Sequence, residues 1–333
     1  MKTEERIDAL HQLGLYLQTI DGNELDDLTT RARGQNSWFN AENIKLGLDG
    51  VVRYLDAEEL RKWLSAAPHE GSGRRVGIVM AGNIPFVGFH DLLTVLITGN
   101  VALAKLSSKD TVLISYLVEK LVGIEPRFAG KVQFVEQLKD FDAVIATGSD
   151  NSARYFEYYF GKYPHVIRKN RTSCAILRGN ESREELVLLG YDVFTYFGLG
   201  CRNVSKVYVP EGYDFIPMLE SWSVYSEIIN HHKYNNNYDY QKSIMLVNMI
   251  HFLDNGFVMI TKSERLVSPI SVIYYEYYAS ETDLREKLNA NAEKIQCVVG
   301  NAEPATIPFG RAQYPTLWDY ADQVDTLKFL TTI

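Results

Sequence analysis

Cysteine is scarce in this sequence, and its pattern excludes a disulfide-stapled fold. The 333 residues contain only three cysteines, Cys174, Cys201 and Cys297. This number is small and odd, so no disulfide framework is indicated. Residues 1–20 also lack the basic start and the apolar core of a secretory signal peptide. We therefore expect a protein of a reducing compartment and assign it to the cytoplasm.

Basic residues and long apolar runs are also too few for two broad functional classes. The chain has 34 Lys and Arg against 42 Asp and Glu, a net charge of −8, whereas nucleic-acid binders usually carry a basic excess. The longest apolar stretch, residues 76–106, is interrupted by Asn83, His90, Asp91 and Asn100. We therefore expect no nucleic-acid partner and no integral membrane segment.

Sequence fingerprints for phosphate and metal binding are missing as well. Neither G-x-G-x-x-G nor G-x-x-x-x-G-K-[ST] occurs in the chain. His231 and His232 are adjacent, and adjacent positions on a helix face different directions. The sequence therefore predicts no metal site.

Short apolar strands alternate with helices in the first half of the chain. The pattern predicts strands at 75–81 and 101–107 and helices at 85–99 and 108–123. Such alternation indicates a parallel sheet covered by helices, and a second α/β pattern follows after about residue 165. The fold class predicted is α/β, and ligands of such a sheet bind at the carboxyl ends of its strands.

Three turns carry the candidate chemistry. Asn83 in "MAGNIPF" and Gly148 in "ATGSD" each follow a predicted strand and precede a predicted helix. Small residues at such a turn let the backbone approach a bound cofactor. In "GLGC", two glycines precede Cys201 and permit a sharply turned, exposed backbone. Taken singly, each is also an ordinary loop, and Cys201 could be a small buried hydrophobe.

Taken together and in this order, the turns resemble the aldehyde dehydrogenase superfamily. In that superfamily an Asn-x-Pro turn, a strand-end Lys, a Thr-Gly-Ser turn and a Gly-x-x-Cys nucleophile follow one another. The matching segments are Asn83-Ile84-Pro85, Lys105 at the end of "GNVALAK", Thr147-Gly148-Ser149 and Gly198-Leu199-Gly200-Cys201. "NHHKYNNNYDYQK", "SPISVIYYEYY" and "YPTLWDYADQVDTLKFL" are most similar to the fatty acyl-CoA reductases of the LuxC type within it.

The resemblance covers residues 75–210 best and implies an aldehyde-dehydrogenase-like organisation. It implies N-terminal helices and a Rossmann-like NAD(P)-binding domain over 1–168. A catalytic α/β domain that carries Cys201 would span 169–310. Residues 311–333 would form a tail able to add a strand to a neighbouring subunit, so we expect a homo-oligomer.

The resemblance also implies a role for each matching residue. Cys201 would be the nucleophile, with the oxyanion held by the Asn83 amide and the Cys201 backbone N–H. Lys105 would bind the cofactor ribose, and the turn at Gly148 and Ser149 would approach the cofactor. The stretch "ERLVSP" corresponds to a Glu-x-Phe-Gly-Pro motif, which makes Glu264 a candidate ligand of the nicotinamide ribose.

Two departures from the superfamily pattern point to the reaction and the cofactor. Aldehyde-oxidising members carry a Glu that activates water, and Arg168 in "RKNRTSCAIL" stands near that position here. Without this base an acyl-cysteine would survive to meet a hydride, which favours thioester reduction. Ser108 stands where many NAD-preferring relatives have Glu, and Lys109 follows it, which favours NADPH while NADH stays open.

The sequence therefore predicts NADPH-dependent reduction of a fatty acyl-CoA to an aldehyde. Two alternatives remain open at this stage. The substrate could be another activated acyl group, such as an acyl phosphate or a short-chain acyl-CoA. The chain could also be a catalytically silent scaffolding relative. Cys174 and Cys297 lie in apolar runs and are predicted to be buried.

Overall fold

The structure is a computed structural model that describes residues 1–66 and 73–333. The chain divides into two compact units. The first comprises Met1–Asn170 and Pro315–Ile333, and the second comprises Arg171–Tyr314. The roles assigned to the domains from the sequence stay predictions.

The first unit begins with four helices and continues as a parallel sheet with helices between its strands. The helices are α1 (Thr3–Gln18), α2 (Gly22–Gln35), α3 (Ala41–Tyr54), α4 (Ala57–Ser65), α5 (Phe89–Ile97), α6 (Thr111–Ile124) and α7 (Asp150–Phe160). The strands are β1 (Arg75–Val79), β2 (Val101–Lys105), β3 (Val132–Phe134), β4 (Ala143–Thr147) and β5 (His165–Arg168). The α/β class predicted from the alternation is confirmed.

The strand order of the first sheet is β3-β2-β1-β4-β5, and every pairing is parallel. The three middle strands are nearly free of polar side chains because helices cover both faces of a parallel sheet. Their inner positions, such as Ile78, Ala104 and Ile145, are fully buried.

The second unit is built on a six-stranded sheet. Its strands are β6 (Thr172–Ile176), β7 (Val204–Pro210), β8 (Leu253–Asp254), β9 (Met259–Lys262), β10 (Val272–Tyr278) and β11 (Ile295–Val299). Its helices are α8 (Arg183–Phe194), α9 (Ile216–Ser221), α10 (His232–Val247) and α11 (Glu281–Ala290). The order is β11-β6-β7-β10-β9-β8, with only the β8–β9 pair antiparallel. Helix α8 leads into the loop before the central strand β7.

The C-terminal residues differ from the strand that the sequence suggested. They form a helix, α12 (Thr326–Thr332), whose start is capped by Asp325, with the Lys328 N–H donating to its Oδ1 at 2.8 Å. Leu327 and Leu330 are buried in the core of the first unit. Because its apolar positions follow the helical period, this segment buries them more completely as a helix. Homo-oligomerisation stays a prediction.

Among residues 1–66 and 73–333, none of the helices combines the length and the apolar character that a membrane crossing requires.

Candidate functional site

The carboxyl edge of the first sheet brings together two of the turns singled out by sequence, those with Asn83 and Gly148, and the strand-end Lys105. Val79, which ends β1, pairs with Lys105 of β2 on one side and with Ala146 of β4 on the other. The three strands therefore end level with one another. The turn with Asn83 follows the middle strand, and the turn with Gly148 follows its neighbour. These turns occupy the edge at which parallel sheets bind ligands.

The turn that carries Asn83 is hydrogen-bonded to a buried carboxyl group, that of Asp110. Phe86 is buried with a φ of 60°, and its N–H donates to Asp110 Oδ2 at 2.9 Å. A Cβ on Gly82 would lie 2.7 Å from the Ser107 Cβ. The β1–α5 turn therefore packs directly on the β2–α6 loop, and only glycine allows that approach. Asn83 itself is exposed.

Asp110 is the functional candidate in this unit that sequence reasoning missed. It is 2% exposed. Burial raises the pKa of Asp110 to about 7, although the backbone N–H groups of Phe86 and Leu113 favour its charged form. An Asp just before a helix usually indicates an N-cap, so nothing local distinguished it. The group can be protonated or ionised near neutral pH while it holds the Asn83 turn.

Lys105 at the end of β2 and Ser108 and Lys109 in the loop after it, the polar residues predicted to bind the cofactor, are exposed. The Lys105 ammonium donates to the Glu136 carbonyl at 2.6 Å, and Ser108 and Lys109 lie in the loop before α6. Two ammonium groups and a hydroxyl at the carboxyl edge can hold the phosphate and ribose oxygens of a dinucleotide. Their roles as cofactor ligands stay predictions.

Gly148 and Ser149 each have a structural role in the first unit, apart from the predicted cofactor role. A Cβ on Gly148 would lie 2.8 Å from Phe156 Cε2 and 2.8 Å from Ser152 Cβ, so α7 could not pack on this turn with a larger residue. Ser149 caps α7, because its Oγ accepts from the Ser152 N–H at 3.2 Å. The N-terminus of this helix is also suited to an anion, so the predicted cofactor role is compatible with the packing role.

Arg168, which the sequence resemblance sets near the position of the water-activating Glu, forms a buried ion pair. Arg168 ends β5, and its Nη1 lies 2.5 Å from Asp91 Oδ2 with side-chain exposures of 4% and 8%. The Arg168 guanidinium therefore neutralises a carboxylate of α5 inside the first unit.

In the second unit, the loop that carries Cys201 has a strained backbone. Tyr196, Phe197 and Gly198 have φ values of 55°, 58° and 74°. The left-handed region costs a residue with a Cβ about 1–2 kcal/mol, and two buried aromatic residues adopt it here in succession. Such strain persists only where the surrounding structure imposes it, and it clusters at functional sites.

The Asn203 side chain is hydrogen-bonded to both ends of this loop. Its Nδ2 donates to the carbonyls of Thr195 at 2.8 Å, Asp192 at 3.0 Å and Val193 at 3.3 Å, and its Oδ1 accepts from the Gly200 N–H at 2.8 Å. Asn203 is 1% exposed. The end of α8 is thereby joined to the residue before Cys201.

Cys201 is the only partly exposed cysteine of the three. Its carbonyl accepts from Ser173 Oγ at 3.0 Å. Cys174 and Cys297 are buried in β6 and β11, as predicted, and burial raises the pKa of the Cys174 thiol. Of the three cysteines, Cys201 is therefore the most accessible to a dissolved substrate.

Arg202, next to Cys201, is engaged with the backbone of the same unit. Its Nε donates to the Ala312 carbonyl at 2.5 Å. The carboxylate of Asp192 accepts from the N–H groups of Gly310 at 2.6 Å and Ala312 at 2.9 Å. Burial raises the pKa of Asp192 to about 7. These contacts attach residues 310–312 to the end of α8 and to the loop that carries Cys201 (residues 195–203), which we call the nucleophile loop.

Glu264 lies in the loop after β9 with an exposed side chain. Its carbonyl accepts from Lys206 Nζ at 3.0 Å. Lys206 is fully buried in β7 and forms an ion pair with Glu276 of β10. Sequence reasoning missed Lys206, although a charged residue inside the apolar run "NVSKVYVP" was a signal for a buried partner. The pair holds the backbone of the loop that carries Glu264.

A cavity of about 60 Å³ adjoins the nucleophile loop within the second unit. Its walls include Phe197, Gly198 and Tyr234, together with residues 268–273. The His231 ring packs against Phe197 with a centroid separation of 4.3 Å. In the part of the chain that the structure describes, no three His, Cys, Asp or Glu side chains are grouped to hold a metal ion.

Solved structures share this fold at low sequence identity. Aldehyde dehydrogenase 21 from Physcomitrella patens, solved with succinate, is 14% identical with a TM-score of 0.66, covering 91% of this chain and 74% of its own. The NAD+ complex of aldehyde dehydrogenase from Bacillus cereus is 13% identical with a TM-score of 0.63, covering 90% and 72%. The Mycobacterium tuberculosis aldehyde dehydrogenase with NAD+ is 12% identical with a TM-score of 0.65, covering 90% and 73%. The aldehyde-dehydrogenase-like fold predicted from the motifs is confirmed.

Comparison with curated protein sequences gave no match. The model of one family, acyl-CoA reductase (LuxC), matches residues 29–211. This segment is more than half of the chain and includes Asn83, Lys105, Gly148 and Cys201. The resemblance drawn from the motifs is therefore confirmed, and the chain is an oxidoreductase that belongs to the acyl-CoA reductase (LuxC) family.

Proposed function

We propose that this enzyme reduces an acyl-CoA thioester to an aldehyde with NADPH, through an acyl-cysteine on Cys201. The observation that carries the proposal is the state of the three thiols. Cys201 is partly exposed in a strained loop, whereas Cys174 and Cys297 are buried. A nucleophile must reach the thioester carbonyl, and Cys is the most nucleophilic of the common side chains near neutral pH.

In the first step, the Cys201 thiolate attacks the carbonyl carbon of the thioester. A carbon–sulfur bond to Cys201 forms, the bond to the CoA sulfur breaks, and CoA leaves as its thiolate. The oxyanion formed on the way needs hydrogen-bond donors, for which the proposal takes the Cys201 N–H and the Asn83 side-chain amide. The loss of one such donor typically costs about 10²–10³ in rate.

The acyl-cysteine must then escape hydrolysis. Arg168 stands in place of the water-activating carboxylate of aldehyde-oxidising relatives, and its guanidinium is paired with Asp91. This substitution supports an acyl-cysteine that persists until it is reduced. When bound, the cofactor supplies the hydride that converts the acyl group to an aldehyde and returns the Cys201 thiolate.

The proposed cofactor ligands are Lys105, Ser108, Lys109, Ser149 and the turn at Gly148, with Glu264 from the second unit. Ser108 and Lys109 are both exposed. Ser108 stands where many NAD-preferring relatives have a carboxylate, and the Lys109 cation follows it, which favours a phosphate on the adenosine ribose and is the reason for proposing NADPH over NADH. A cytoplasmic location and a homo-oligomeric state are part of the same proposal.

One cavity in the second unit is relevant to the length of the acyl chain. The cavity beside the nucleophile loop, about 60 Å³, is smaller than an engineered cavity of roughly 150 Å³ that binds benzene. Cys201 does not line this cavity, and the short-chain acyl-CoA reductase is the second candidate function.

Intact-mass spectrometry after mixing with acyl-CoAs of two to sixteen carbons, about the range from acetyl to palmitoyl, tests the proposal. We expect one acyl adduct on the wild type and on Cys297→Ala, the matched control, and none on Cys201→Ala. NADPH should discharge the adduct as aldehyde. A persisting adduct on Cys201→Ala, or no adduct with any chain length on a folded wild type, would overturn the proposal. If the folded wild type forms no adduct, the next hypotheses to test are an acyl-phosphate substrate and a catalytically silent scaffolding role.

The cofactor preference is tested separately with Ser108→Glu and Lys109→Ala. A carboxylate at position 108 should repel the ribose phosphate, so the KM for NADPH should rise while that for NADH falls or stays constant. Unchanged KM values for both cofactors in both variants would remove these residues from the cofactor site. Arg154→Ala, at an exposed cation on α7, is the charge-matched control for Lys109→Ala.

A further inference from the structure

We infer that Asn203 is a positioning residue that sets the conformation of the nucleophile loop and, through it, the reactivity of the Cys201 thiol. The inference rests on the proposed role of Cys201 and goes beyond it, because it assigns the control of that thiol to a side chain that would touch neither substrate nor cofactor.

The first observation is the number of backbone groups that this one side chain satisfies. A primary amide offers two N–H donors and one carbonyl oxygen. Asn203 uses both kinds, since Nδ2 reaches the carbonyls of Asp192, Val193 and Thr195 and Oδ1 receives the N–H of Gly200. At 1% exposure, water is not an alternative partner. The loop is therefore held at its start and just before the thiol by the same group.

The second observation is the strain between those two ends. Tyr196, Phe197 and Gly198 are consecutive left-handed residues. Without the amide, the loop could relax by returning Tyr196 and Phe197 to φ values that L-residues prefer. Such a relaxation would displace Gly200 and Cys201, because only two residues separate Phe197 from Gly200.

The third observation is which atoms of Cys201 the amide controls. Oδ1 fixes the N–H of Gly200, and Ser173 Oγ fixes the carbonyl of Cys201 at 3.0 Å. The peptide group between Gly200 and Cys201 carries the N–H that the proposed mechanism uses for the oxyanion. The carbonyl of this peptide group accepts from the Asn203 backbone N–H at 3.1 Å, and the peptide groups before and after it are held by Asn203 Oδ1 and Ser173 Oγ. Loss of the Asn203 side chain would remove the contact on the Gly200 N–H and the anchors of the loop to the end of α8.

A purely structural role predicts something different. The carbonyls of Asp192 and Val193 belong to the last turn of α8, where unpaired backbone oxygens need donors. If Asn203 only capped this helix, its loss would lower stability without changing the chemistry of Cys201. The test therefore needs a readout of the thiol itself.

Alkylation of Cys201 by iodoacetamide, located by peptide mass and followed from pH 6 to 10 (roughly the range of thiol ionisation), supplies that readout. We expect Asn203→Ala to change the rate constant by about tenfold or more and to move the pH midpoint. Its acylation rate by an acyl-CoA should fall by about 10- to 100-fold with an unchanged KM for the nicotinamide cofactor. Asn203→Asp keeps an oxygen for the Gly200 N–H but loses the N–H donors. Its alkylation and acylation rates should fall between those of the wild type and those of Asn203→Ala.

Asn255→Ala is the matched control. Asn255 belongs to the same unit, its Oδ1 accepts from the Val258 N–H at 3.2 Å and its Nδ2 donates to the Leu219 carbonyl at 3.2 Å. Its loss should lower stability and leave the alkylation of Cys201 as in the wild type. Equal alkylation profiles for wild type, Asn203→Ala and Asn255→Ala would overturn the inference.

Two further outcomes are distinguishable. If Asn203→Ala changes the alkylation profile but the wild type never forms an acyl adduct, the positioning inference stands and the proposed function fails. If neither Asn203 variant folds, hydrogen exchange in the wild type decides. The Gly200 amide should then be among the slowest amides of the 195–203 loop, because its partner is buried, and rapid exchange at Gly200 would overturn the inference.

Discussion

Replacing Asp110 by asparagine should remove most of the pH dependence that this buried carboxyl gives to the stability of the first unit. Burial raises the pKa of Asp110 from 3.8 to about 7. The unfolded chain therefore loses the proton near pH 4 and the folded chain near pH 7. Between these values the folded state binds more protons, so its stability falls as the pH rises. The stabilising effect of the proton is complete below about pH 4 and lost above about pH 7.

The size of the effect follows from the same interval. At about 1.4 kcal/mol for each pH unit, the carboxyl should destabilise the wild type by roughly 3 kcal/mol between pH 5 and pH 8. This is an upper value, since local relaxation around an ionised Asp110 would lower it. The asparagine keeps an oxygen that can accept from the Phe86 N–H, and it cannot ionise. Asp110→Asn should therefore gain up to about 3 kcal/mol relative to the wild type over this range.

Urea unfolding at pH 5, 6, 7 and 8, followed by tryptophan fluorescence, measures this difference. Three of the four tryptophans, Trp38, Trp63 and Trp318, lie in the first unit, so the signal reports mainly on that unit. Other titrating groups contribute equally to both proteins and cancel. Asp56→Asn is the control, because Asp56 is exposed at the start of α4 and accepts from two backbone N–H groups at 3.0 Å.

For Asp56→Asn, the difference in unfolding free energy from the wild type should be the same at all four pH values. For Asp110→Asn it should change steadily between pH 5 and pH 7 and level off above that. If the difference between the wild type and Asp110→Asn is constant from pH 5 to pH 8, Asp110 is ionised throughout. Burial would then not raise the pKa of Asp110 into this range.

Three substitutions test buried contacts within the two units, at Lys206, at Arg168 and at Gly190 of α8. Lys206→Met should destabilise the second unit by about 1–3 kcal/mol, because Glu276 loses one of its two cationic partners and keeps the other, Lys287, at 2.9 Å; urea unfolding followed by far-UV circular dichroism measures it. Arg168→Met should cost the first unit about 3–5 kcal/mol, since its buried carboxylate partner on α5 is left unpaired, and tryptophan fluorescence reports it. Gly190→Ala should cost about 1–3 kcal/mol, because its Cβ would lie 2.8 Å from Trp222 Cδ1; a change in thermal midpoint below 1 °C, against roughly 2–4 °C expected for each kcal/mol, would contradict this.

The alternation of apolar strands and helices was sufficient to predict the α/β class and the edge at which Asn83, Lys105 and Gly148 meet. Parallel strands have few ways to connect, because their crossovers are right-handed and short. A residue at the end of a strand is therefore placed by topology alone. That is why the sheet in the structure has these three positions on adjacent strands, β2, β1 and β4.

The residues that hold the candidate site could not be predicted in the same way. Asp110, Asn203 and Lys206 act through partners 24, 11 and 70 residues away, Phe86, Asp192 and Glu276. Local sequence gives each an ordinary alternative: a helix cap, a turn residue and a charged residue on a strand. The strand predicted for the C-terminal segment was wrong for a different reason. Its apolar pattern fits a strand or a helix, and only packing in the first unit decides between them.

The nucleophile loop shows why strain and its cause have to be considered together. The two glycines before Cys201 suggested that glycine makes the turn, yet Gly200 is not among the positive-φ residues, and two aromatic residues share the left-handed region with Gly198. Aromatic side chains have no local preference for that region, so the sequence of the turn cannot explain its shape. The shape follows from Asn203, which is beyond the turn and bonds to both of its ends. A strained backbone at a candidate nucleophile therefore identifies a second residue, the one whose hydrogen bonds keep the strain from relaxing.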